Sequence, residues 1–113
     1  MRISQKGVFI ALMLLAASFA SLIDPVLAAR AVPPKVDTLC QTCHGKDGKA
    51  TVVGSPNLSG QQKEYLIEQL RAYRSGTRRH EQMSIIAKSL TDDDIENLAE
   101  WYSSIKITVE KPK

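Results

Sequence analysis

Both cysteines of the chain fall in one pentapeptide, Cys40-Gln41-Thr42-Cys43-His44, and nothing else in the sequence restricts the fold as much. In an exported protein, Cys-x-x-Cys-His is the pattern of c-type haem attachment. Two thiols three residues apart can add to the two vinyl groups of one haem. The histidine beside the second thiol is then placed for its imidazole to bind the iron. A thioredoxin-type Cys40–Cys43 disulfide needs a βαβ setting, which the helical periodicity of this chain denies. A zinc site needs a second ligand pair, and outside the pentapeptide the only histidine is His80.

The rest of the composition shows why a cofactor is wanted. Of the hydrophobic residues, 19 lie in the first 28 positions, so residues 29–113 are poor in core-forming side chains. A small, apolar-poor domain usually needs a staple, metal or cofactor to complete its core. The rich segment reads as a secretory leader: Arg2 and Lys6 precede an apolar run from Val8 to Ile23, Asp24-Pro25 breaks it, and Val26-Leu27-Ala28 ends in small residues. Cleavage after Ala28, with Ala29 the near alternative, would release residues 29–113 as a single domain with a short C-terminal tail. An uncleaved anchor is the competing reading, but the run from Gly7 to Ile23 is short for a bilayer. Either way the domain meets an oxidising compartment, the periplasm of a bacterium. Past residue 28 there are 13 basic and 11 acidic side chains, too small an excess to argue for nucleic acid.

Along the domain, Pro33-Pro34 gives an extended lead-in, and a helical turn is expected over 35–42. Residues 44–61, rich in glycine with Pro56 and Asn57, read as a loop that has to wrap something. Ser59 and Gln62 resemble a capping box, which predicts a helix over 60–75. Thr91 and Asp94 repeat the signal ahead of the stripe Ile95, Leu98, Ala99, Tyr102, Ile105 and predict a helix over 91–105. A further short helix is expected over 85–90. The fold class is therefore all-α.

The sixth iron position is read by elimination. Met1 and Met13 belong to the leader, which leaves Met83 as the one methionine of the domain, with His80 the other candidate. His80 stands beside Arg78 and Arg79 and reads as a solvated side chain. Thioether and imidazole ligation raises the reduction potential and leaves no open site, which suits electron transfer. Trp101 is one position off the apolar stripe and would line a haem edge or a partner surface.

Taken together, these residues resemble the short class I c-type cytochromes of bacteria. The likeness runs through Cys40-x-x-Cys43-His44-Gly45 with Gly48, Pro56-Asn57-Leu58-x-Gly60-Gln61, Tyr65-Leu66 with Gln69-Leu70, Tyr73 with Gly76, Met83 with Ala87, and Leu90-x-Asp92-x-Asp94-Ile95 with Leu98-Ala99 and Tyr102. It implies the class I cytochrome c fold, a few helices wrapped around one covalent haem c, with the N-terminal helix packed on the C-terminal one. It implies His44 and Met83 as iron ligands, and the Pro56 carbonyl as acceptor of a hydrogen bond from the other His44 nitrogen. The function expected is one-electron carriage in the periplasm, without catalysis, between a redox donor and acceptor such as a dehydrogenase and an oxidase. A monomer, or a subunit of a redox complex such as a flavocytochrome sulfide dehydrogenase, fits that expectation. A haem peroxidase, which needs an open distal site, and a thiol oxidoreductase are the readings from other classes. Lys63, Arg71, Arg74 and Arg78 recur on one face of the 60–75 helix and its extension, against Asp92, Asp93, Asp94, Glu96 and Glu100 on the later helix. Either they set up a dipole that steers a partner, or they are two ordinary solvated faces.

Overall fold

A proline has no N–H to satisfy, so it costs nothing in the first turn of a helix, and the domain uses Pro33-Pro34 in this way. In the computed structural model, which describes residues 31–113, Val36 N–H donates to the Pro33 carbonyl (2.9 Å) and the Thr38 hydroxyl donates to the Pro34 carbonyl (3.0 Å). A π-helical turn, Val36–Cys40, runs straight into the α-helical turn Gln41–His44, and the two together form α1. The wider turn is marked by Gln41 N–H donating back five residues to the Val36 carbonyl; such turns are rare and concentrate at functional positions. The sequence expectation of a turn over 35–42 stopped short: α1 carries on through His44. It ends because Gly45 adopts φ 74°, ψ 152°, a region closed to residues with a Cβ. The leader expected at residues 1–28 lies outside the described residues.

The loop that follows bonds largely to itself. Gly48 N–H donates to the Gly45 carbonyl (3.2 Å), Leu58 N–H to the Gly48 carbonyl (2.7 Å), Ala50 N–H to Asn57 Oδ1 (2.7 Å), and Thr51 N–H to the Cys43 carbonyl (3.0 Å). Ser59 does not form the anticipated capping box, because its hydroxyl donates across the loop to the Asp47 carbonyl (2.8 Å). Gly60 has φ 66° and gives its N–H to the Tyr102 carbonyl (2.9 Å), so the helix cannot begin there. α2 spans Lys63–Ser75, three residues later than expected, with Gln62 at its N-cap making no side-chain bond.

α3 spans Met83–Lys88 and α4 spans Asp92–Ser104. The short helix expected over 85–90 thus starts two residues earlier and includes Met83. The capping box of α4 forms as read: Asp94 N–H donates to the Thr91 hydroxyl (3.1 Å) and Thr91 N–H to the Asp94 carboxylate (2.9 Å). That backbone N–H holds the Asp94 carboxyl below its usual range. The described residues contain helices and no strand.

The core is the stripe of α4 met by α1 and α2. Ile95, Leu98, Ala99 and Tyr102 are buried against Leu66 of α2, Leu90, and Val36 of α1. Val36 shows the N-terminal helix seated on the C-terminal one. Burying a Val, Leu or Ile side chain stabilises by about 1.5–3 kcal/mol, so a core this small makes each member count. α3 packs on α2 with Ala87 fully buried.

Charge is arranged differently from two independent faces. Lys63 Nζ sits 2.9 Å from Glu100 and 3.8 Å from Glu96, Arg71 is 3.4 Å from Glu96, and Arg74 is 2.5 Å from Asp92. These basic side chains of α2 are therefore paired with the acidic side chains of α4, and the field each would project is largely neutralised. Exposed pairs add little stability, and these lie along the contact between α2 and α4. Arg74 also donates to the Leu90 carbonyl (3.1 Å), which ties α2 to the turn before α4.

Candidate functional site

Spacings of three and four residues put side chains on one face of a helical turn. Cys40, Cys43 and His44 stand in that relation across α1, and both cysteines are free thiols, half-buried. Burial pushes the Cys40 thiol up to about 11, with Lys35 opposing the shift only in part.

His44 is buried, 8% exposed. Its Nδ1 lies 2.9 Å from the Pro56 carbonyl. A carbonyl can only accept, so Nδ1 carries a proton, and in the neutral imidazole Nε2 is then the nitrogen with the lone pair. Among the described residues no buried side-chain nitrogen lacks a partner, and Nε2 has no hydrogen bond to any of them. Pro56 is brought to the ring by the self-bonded loop, twelve residues along the chain.

Met83 comes from another element: it is half-buried at the first position of α3. His80, the other candidate, is exposed, and its Nδ1 accepts hydrogen bonds from the N–H groups of Gln82 and Met83 (3.3 Å each).

Two residues of α4 also serve the site's backbone. Trp101 Nε1 donates to the Lys46 carbonyl (2.8 Å) and the Tyr102 hydroxyl donates to the Gly45 carbonyl (3.1 Å). α4 thus grips both residues that follow His44. Burial raises the Tyr102 hydroxyl above its ordinary range. Trp101, expected at a haem edge or a partner surface, stands just off the stripe, and from there its indole reaches the loop.

The cytochrome c family model matches residues 35–106, which spans α1 through the end of α4. The chain belongs to the cytochrome c family. Cytochrome c-554(548) of Halomonas halodenitrificans is 40% identical over 79 residues, covering 67% of this chain and 94% of that protein. A thiosulfate dehydrogenase electron acceptor of Stutzerimonas stutzeri is 36% identical over 69 residues, which is 58% of this chain and 32% of the relative. The solved cytochrome c4 of Acidithiobacillus ferrooxidans aligns with a TM-score of 0.56 at 38% identity, over 58% of this chain and 38% of that one. The chain therefore spans nearly all of the first relative and about a third of the longer ones.

As a cytochrome c, the protein is a haem-based electron carrier, and the fold class read from the sequence is the one found. The donors present suit a covalent haem: two free thiols and an imidazole on one helical turn, with the imidazole's second nitrogen already committed to a carbonyl. Cys40, Cys43 and His44 are the residues able to hold it. Among the described residues no helix is long and apolar enough to cross a membrane.

Proposed function

We propose that this cytochrome is a periplasmic one-electron carrier whose haem c is bonded to Cys40 and Cys43 and ligated by His44 and Met83. When bound, the haem supplies a reversible one-electron iron couple. The protein's own residues then do the remaining work. Cys40 and Cys43 anchor covalently, so exchange does not occur. His44 offers Nε2, and the Pro56 carbonyl fixes the ring's rotation and raises its basicity. Met83 would supply a thioether to the iron, and thioether ligation favours the reduced state. Trp101 and Tyr102 hold the backbone behind His44. Residues 1–28 serve as the leader, and residues 29–113 form the exported domain.

The observation that carries this reading is the 2.9 Å contact of His44 Nδ1 with the Pro56 carbonyl, which spends one ring nitrogen and leaves the other for iron. For partners, the reading takes a dehydrogenase as donor and an oxidase or similar protein as acceptor. It is supported by the relatives from Stutzerimonas stutzeri and Thiomonas intermedia, both named thiosulfate dehydrogenase electron acceptors. The test is Met83→Ala in the oxidised holoprotein. The sulfur-to-iron charge-transfer band should vanish, the reduction potential should fall, and the reduced protein should bind carbon monoxide where the wild type does not. A wild-type protein that already binds carbon monoxide would favour peroxidase-like chemistry instead.

A further inference from the structure

α3 has only six residues, too few to hold helical form unaided, and its first N–H groups have no partners within the helix. Gln82, the residue before it, supplies no side-chain cap. The cap comes from His80. Its Nδ1 accepts from the N–H groups of Gln82 and Met83 (3.3 Å each), while its own N–H donates to the Ser84 hydroxyl (2.9 Å) and its carbonyl accepts from Ser84 N–H (3.0 Å). Four hydrogen bonds close residues 80–84 into a clasp with Met83 inside it. The clasp is also tied to α2. The His80 ring meets Tyr73 edge-on (6.3 Å between centroids, 73° between planes), and the Arg78 guanidinium lies 4.7 Å from the Tyr73 ring centre while donating to Gln69.

We propose that His80 is the positioning residue of the Met83 ligand: its ring fixes the backbone from which the thioether projects and so sets how readily that ligand leaves the iron. The inference rests on the reading of Met83 as distal ligand. Each ring contact is long and weak, so the contribution is geometric: without the acceptor, the first turn of α3 frays and Met83 loses its fixed origin. An ordinary helix cap would lower global stability without acting on the ligand in particular, and the experiment separates the two.

The measurement is the rate at which imidazole displaces the distal ligand of the oxidised holoprotein, read beside the charge-transfer band. His80→Phe keeps a ring against Tyr73 but has no acceptor; the rate should rise about tenfold and the band should weaken, as for a local opening made ~1.4 kcal/mol easier. His80→Asn, a good capping residue, should return the rate to near the wild-type value. Ser84→Ala, which breaks the reciprocal arm, should give an intermediate rate. Ile95→Val lowers global stability from the core and should leave the rate unchanged. A rate in His80→Phe within about twofold of wild type, or an equal rise in Ile95→Val, overturns the inference. Met83→Ala distinguishes the levels. A band that survives it overturns the ligand reading and this inference together, whereas a band lost there with an unchanged rate in His80→Phe overturns the inference alone.

Discussion

Gly45→Ala tests how α1 is joined to the loop that serves His44. With φ 74° and ψ 152°, Gly45 occupies backbone space costing a residue with a Cβ about 1–3 kcal/mol. There is also no room: an added Cβ would stand 2.2 Å from the Lys49 carbonyl oxygen, against 3.4–4 Å for ordinary contact. That carbonyl belongs to backbone pinned by Lys49 N–H on the Asp47 carboxylate (3.0 Å) and Ala50 N–H on Asn57 (2.7 Å). Moving it more than an ångström loses at least one such bond, about 1 kcal/mol. The sum is ~2–4 kcal/mol, or roughly 10–25 °C in Tm for a domain of this size. Gly54→Ala is the control, because Gly54 also has positive φ (89°) but nothing lies within 4 Å of its added Cβ; it should cost only about 1 kcal/mol. Guanidinium unfolding of the oxidised holoprotein, followed by far-ultraviolet circular dichroism and by the fluorescence of Trp101, the single tryptophan, measures both. A loss below about 1 kcal/mol in Gly45→Ala, or one equal to that of Gly54→Ala, would refute the packing argument.

Tyr102→Phe removes the hydroxyl on the Gly45 carbonyl, which still accepts from Gly48 N–H, so denaturant unfolding should show a loss of only about 1 kcal/mol with the visible spectrum unchanged. Acid stability has a defined sign: the Arg74 hydrogen bond and charge hold Asp92 low, and the Thr91 backbone N–H holds Asp94 low. Depressed carboxyls contribute fully above the unfolded value of about 4 and lose that contribution as pH falls through their folded values. Asp94→Asn should therefore lose less Tm than wild type between about pH 5 and 3, and an equal loss would show that the carboxylate plays no part.

What could be read from the sequence was what local rules decide. Cys40, Cys43 and His44 are adjacent in the chain, and the stripe and capping box of α4 act within a few residues, so both were legible. The start of α2 was not, because Ser59 is recruited by the Asp47 carbonyl and Gly60 by the Tyr102 carbonyl, partners twelve and more residues away. Met83 begins a helix two residues ahead of the expected start for a similar reason: its cap is an imidazole, absent from the usual capping residues, braced by Tyr73 of α2. The charges of Lys63, Arg71 and Arg74 were visible as a face, but their pairing with α4 depends on packing that the spacing of either helix alone does not contain.

The central claim, that Cys40 and Cys43 carry haem through covalent bonds, is tested most directly by the intact mass of the protein under denaturing conditions, after production in cells competent for cytochrome maturation. One species is expected, heavier than the processed polypeptide by one haem, with free thiols neither detectable by alkylation nor released by reduction. A mass equal to the bare polypeptide, with both cysteines alkylated after reduction, would contradict it.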